Sequence, residues 1–158
     1  MNKLPQITLI FWIMKICATT LGETAGDLLS MTLNVGYAVS SLVLISIFLV
    51  SLVTQLKSKR FHPVLYWSVI LATSTAGTTM SDYMDRTLGF GYMKGSILLV
   101  TLLTLTLIIW RWVEGTISVN EIKTPRAELF YWIAILFSNT LGTALGEFFA
   151  NKSRLQFA

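Results

Sequence analysis

Apolar residues fall along this chain in five long runs, at approximately residues 6–26, 37–56, 64–82, 93–112 and 128–149, with short polar stretches between them. A helix rises about 1.5 Å per residue, so roughly 20 residues cross a hydrocarbon core about 30 Å thick. The pattern therefore predicts five membrane-spanning helices. The second run, "YAVSSLVLISIFLVSLVTQL", and the stretch Gly95–Trp110 of the fourth, "GSILLVTLLTLTLIIW", hold no charge at all. Helices of a soluble bundle need a polar stripe, and these two offer only Ser, Thr and Gln, which excludes that class. The expected fold is all-α, a polytopic transmembrane helix bundle of about five helices.

Three of the runs repeat one another. "FWIMKICATTLGETAGD" from Phe11, "YWSVILATSTAGTTMSD" from Tyr66 and "YWIAILFSNTLGTALGE" from Tyr131 each place an aromatic before Trp, then Thr-x-Gly, then an acid. Ten residues separate Trp from Gly in every copy (Trp12 to Gly22, Trp67 to Gly77, Trp132 to Gly142), and five more lead to Asp27, Asp82 and Glu147. Gly36-Tyr37 and Gly91-Tyr92 continue the match downstream. The chain reads as one transmembrane domain, residues 1–158, built from units 6–60, 61–115 and an incomplete 126–158. Each unit is two helices, so successive units enter the membrane from the same side as parallel repeats. Equivalent residues then lie at equivalent depth.

That placement gives the acids a rationale. Residues at i, i+3 and i+7 share a helix face, so Thr20, Glu23 and Asp27 form one edge. The matching edges are Thr75, Thr78, Asp82 and Asp85 in the second unit and Thr140, Thr143 and Glu147 in the third. Beside each edge run small residues four apart: Gly22 and Gly26, Gly77 and Ser81, Gly142 and Gly146. Such spacing lets membrane helices approach closely, which would bring the acidic edges together as a ring. The bland alternative is that the acids sit solvated among headgroups, the reading preferred for Asp85 with Arg86. Lys15 lies near the middle of the first run and calls for a partner on another helix or subunit, or else snorkels to an interface.

Composition adds location. With 54% hydrophobic residues and a mean hydropathy of +0.67, the bilayer is the expected partner. Lys3, "KSKR", Arg111, Lys123 and Arg126 fall on one side, against Arg86, Lys94, Lys152 and Arg154 on the other. This bias predicts an inner-membrane protein with a cytoplasmic N-terminus and an outer C-terminus. Phe11/Trp12, Tyr66/Trp67, Trp110/Trp112 and Tyr131/Trp132 then become interfacial anchors on the cytoplasmic side. Lys15 interrupts the first run before any small-residue cleavage site, so this run is expected to stay as a helix rather than leave as a signal peptide. Cys17 is alone, which rules out a disulfide within the chain.

The quoted segments, together with the "EGTISV" loop, resemble a family of uncharacterised bacterial membrane-anchored proteins built from tandem two-helix units, a repeat of unknown function. The resemblance covers nearly the whole chain and implies architecture and location rather than chemistry. Members look like four units, about eight helices, whereas "NKSRLQFA" does not look like the start of another helix. A shortened member, or one that completes its bundle as a homo-oligomer, is the expectation.

Two functional readings follow. In the first, Glu23, Asp27, Asp82 and Glu147, with neutral oxygens from Thr20, Thr75 and Thr140, bind or transport a proton or a hard divalent cation such as Mn²⁺ or Mg²⁺, since such ions prefer oxygen ligands. The alternative is a non-transporting membrane scaffold or envelope-homeostasis protein. An enzyme is the weaker idea: the single histidine, His62, sits beside Pro63 in a basic loop, and no phosphate-binding or nucleophile motif is present. No cofactor is called for, and no folded basic surface offers itself to nucleic acid.

Overall fold

Helix-start chemistry in the sequence fixes where the elements begin in the computed structural model, which describes residues 5–33, 35–58, 60–118, 122 and 124–156. Thr8 accepts a hydrogen bond from the Phe11 amide and opens α1, Leu9–Asp27. After α2, Tyr37–Lys57, a proline opens α3, Pro63–Asp82, where its missing N–H costs nothing. Gly115, at φ +75°, closes α4, Gly91–Glu114, and α5 runs Pro125–Gln156. Thr124 ties these last two together, donating to Glu114 and accepting from the Ala127 amide at 3.0 Å each. The described residues hold helices and no strand. Lys3, Lys59 and Lys123, which entered the charge count, lie outside them, as does the side chain of Arg154.

α5 extends seven residues beyond the expected end at 149, through "NKSRLQ", because no Gly or Pro interrupts it there. Three helices are long and apolar enough to cross a membrane by length and composition: Tyr37–Lys57, Gly91–Glu114 and the first 28 residues of α5, Pro125–Lys152. α1 and α3 are of similar length but more polar. For α3 the reason lies in the packing: it runs through the middle of the bundle against α1, α2 and α5. Its Thr73, Ser74, Thr75, Thr78 and Thr79 are buried against protein instead of lipid. Lipid-facing positions on α2 and α4, such as Leu42, Val50, Ile97 and Ile108, are apolar and exposed.

The three odd helices form an inner row, α1 to α3 to α5. Each even helix packs on the following odd one, α2 on α3 and α4 on α5. Equivalent contacts recur along the row. Phe11 meets the Trp67 ring with centroids 5.7 Å apart, and Tyr66 meets Trp132 at 5.4 Å. Equivalent residues also touch directly: the Tyr66 and Tyr131 hydroxyls lie 2.8 Å apart, and those of Thr78 and Thr143 3.3 Å apart. Equal depth, as parallel repeats require, is the geometric condition for these pairs.

The aromatic pairs do not all act as the interfacial anchors expected. Tyr66, Trp110, Tyr131 and Trp132 join Phe48, Leu52, Val69 and Ile70 in the apolar core, while Trp12 and Trp112 stand exposed. Placing neighbouring repeats at one depth turned their aromatic positions toward each other.

Both complete units end their inner helix in the same manner. A wide π turn follows, Leu28–Thr32 after α1 and Tyr83–Thr87 after α3. Bonds from the Leu33 amide to the Leu28 carbonyl and from the Leu88 amide to the Tyr83 carbonyl, each 2.9 Å, define the turns. Gly36 and Gly91, at φ +84° and +71°, then swing the chain into α2 and α4, a conformation that disfavours other residues.

Candidate functional site

The wide turn after α3 carries Arg86, and this residue organises the acidic end of the bundle. Its Nη2 donates to both carboxylate oxygens of Glu147 on α5, at 2.9 Å each. Its Nε lies 3.4 Å from Asp82 Oδ1, one turn back, close enough for charge pairing although that oxygen receives no hydrogen bond. The Tyr37 ring, at the start of α2, lies 5.7 Å from the guanidinium carbon. One side chain thus joins the second unit to the third and to the first outer helix.

Around it gather the predicted acids. Asp82 is 2% exposed. Glu23, from α1, lines the same cleft of about 770 Å³ as Arg86, Tyr92, Glu147 and Asn151. Asp27, at the end of α1, lies within electrostatic range of Glu147 and Arg86. Asp85, expected among solvated headgroups, is instead buried, folded against Gly95 of α4 and 3.4 Å from the Ser81 hydroxyl that donates to it. Burial pushes its carboxyl up, opposed by that hydrogen bond. For Arg86 burial acts downward, yet the Asp82 and Glu147 carboxylates hold its pKa above the ordinary value.

The threonines divide. Thr20 is exposed on α1, whereas Thr75 and Thr140 are buried and donate to carbonyls one turn back, Leu71 and Leu136, at 2.8 Å. The small residues divide too. Gly22, Gly26 and Gly77 lie at close helix approaches, where an added Cβ would come within 2.6 Å of Ser74 Cβ, 3.1 Å of the Thr75 carbonyl and 3.0 Å of the Thr140 amide. Ser81 is buried beside Asp85, while Gly142 and Gly146 face open space. Lys15 is half-buried, and its Nζ has no hydrogen-bond partner among the described residues. No group of three or more His, Cys, Asp or Glu side chains is arranged to hold a metal among the described residues.

Sequence reasoning missed Glu128. It is 1% exposed at the far, aromatic end of the bundle, where Gln55 Nε2 donates to it at 3.1 Å. The available signal was its spacing: three residues before Tyr131, it shares the face that α5 turns to the core. Glu128 begins a polar seam between α3 and α5 that continues through Tyr66 with Tyr131, Thr73 with Asn139, and Thr78 with Thr143, to Arg86 with Glu147. Replacing Gln55 with Leu withdraws a donor from a buried carboxylate and is expected to lower stability by about 2 kcal/mol. Adding Glu128→Gln should return part of the loss. Thermal unfolding of the two variants in detergent checks this, and equal midpoints for wild type and Gln55→Leu would refute it.

A family model described as Repeat of Unknown Function (DUF347) matches residues 10–61 and 65–116, so the chain belongs to that family. The matches fall on the first two helix pairs, and α5, which carries the same Tyr-Trp, Thr-x-Gly and acid spacing, lies beyond them. No curated protein and no solved structure gave a significant match.

Proposed function

We propose that this member of the repeat family is a bacterial inner-membrane protein that takes up a cation at the acidic end of its bundle, with its N-terminus cytoplasmic and its acidic end outside. One observation carries the reading: a single guanidinium, Arg86, binds Glu147 and lies 3.4 Å from Asp82, while Glu23 lines the same cleft between α1 and α5 and Asp27 lies within electrostatic range. Carboxylates in such excess favour a cation. The geometry supports a proton better than Mn²⁺ or Mg²⁺, because both oxygens of Glu147 already bind Arg86 and divalent ions need several free oxygen ligands.

The test compares wild type with the triple variant Asp27→Asn, Asp82→Asn, Glu147→Gln. Purified protein is titrated calorimetrically with Mn²⁺, Mg²⁺ and Ca²⁺, and proton flux is followed in liposomes carrying a pH dye. Flux or saturable binding that the triple variant loses supports the reading. Neither property in the wild type removes it. That outcome favours the scaffold reading, for which the Arg86 bridge is already a structural tie between units.

A further inference from the structure

The inner row repeats one interface twice, and its two ends carry the unused halves of a third. On α1, Gly22 and Gly26 form a face that receives Ser74, Thr75 and Thr79 of α3. On α3, the equivalent Gly77 receives Asn139 and Thr140 of α5. The same face of α5 carries Gly142 and Gly146, and a Cβ built on either meets nothing within 4 Å. The opposite, receiving face is occupied on α3 and on α5. Its counterparts on α1 are Trp12, Thr19, Thr20, Glu23 and Thr24, of which Thr19 is half-buried and the other four are exposed.

From this we infer that a second copy of the chain docks here, its α1 seated on the glycine face of α5. The contact continues an interface already made twice within each chain, and both of its halves are present on the same molecule. It is head-to-tail, each copy offering one half of the contact on α1 and the other on α5. Register follows from the repeat. Gly77 lies against Thr140, so Gly142 lies against the partner's Thr20. Thr78 lies against Thr143, so Thr143 lies against the partner's Glu23 and gives that carboxylate a hydroxyl donor. The cleft between α1 and α5 is thereby walled by two chains. This inference stands whether or not a cation binds there.

Cysteine cross-linking of the full chain in membranes tests it, with Cys17→Ser as background. Two differently tagged chains, one carrying Gly142→Cys and the other Thr20→Cys, are co-expressed and oxidised. A disulfide joining the two tags is expected, and each variant expressed alone should give none. A second variant reads the free association: Gly142→Leu should leave thermal stability of the monomer unchanged while weakening dimerisation roughly tenfold or more, as seen in molar mass by light scattering. Three results would overturn the inference: no heterotypic cross-link, homotypic cross-links of equal yield, or an unaltered dimer fraction in Gly142→Leu.

Discussion

Leucine in place of Gly77 is expected to destabilise the bundle by about 3 kcal/mol or more, the upper range for forcing extra methylenes into a packed interior. Even a Cβ would press on the neighbouring helix here, 3.0 Å from the Thr140 amide and 3.1 Å from its hydroxyl oxygen, and a leucine adds three more carbons in the same place. Backbone cannot swing aside as a surface side chain would, so α3 and α5 must separate. Separation breaks the polar seam as well, including the buried tyrosine pair and the bond from Asn139 to Thr73. Tryptophan fluorescence on heating in detergent measures the loss, since Trp132 lies wholly buried against Tyr66. Gly142→Leu, measured on the monomer, is the matched control, being the corresponding glycine of α5 with nothing of its own chain within 4 Å of an added Cβ. Equal unfolding midpoints for the two leucine variants would show that the α3–α5 approach is not the constraint described.

Arg86→Leu should be the most damaging change at the acidic end. It leaves Asp82, 2% exposed, and Glu147 without their shared countercharge. Removing one partner of a buried ion pair costs about 3–5 kcal/mol. Arg86 and Glu147 side chains are 34% and 36% exposed, so water screens part of this and about 2 kcal/mol is the expected loss. Asp82→Asn in the same background should recover much of it by removing the buried charge. If the double variant is no more stable than Arg86→Leu alone, the damage comes from lost packing on Tyr37 instead of from charge.

The helices were legible because lipid imposes a simple rule on the sequence: residues facing it must be apolar, and α2 and α4 obey along almost their whole length. The repeat was legible because Trp, Thr-x-Gly and acid recur at fixed spacing, and fixed spacing in parallel units means equal depth. Arg86 was misread because a basic residue beside Asp85 at a helix end looks like a solvated headgroup pair. Only the turn after α3, which carries Arg86 back over Asp82 and across to Glu147, shows its role. Glu128 was hidden for a similar reason, since one acid in a first helical turn ordinarily faces water. The glycines show the limit most clearly: Gly77 and Gly142 occupy the same place in the motif, yet one is pressed against a neighbouring backbone and the other is bare. A motif specifies what a face is able to receive; the presence of a neighbour is a property of the assembly.

The staggered pairing of even helices with the following odd helices has a consequence for biosynthesis. α2 leaves the insertion machinery directly after α1 but finds its main packing surface only on α3, and α4 must wait in the same way for α5. A nascent chain holding only its first hairpin is therefore half-finished, with polar positions on α1 still facing lipid. Order of synthesis becomes order of burial, each new odd helix locking the hairpin made before it. Chains halted after α2 or α4 should be the forms that quality-control proteases remove, while those that have threaded the next odd helix escape.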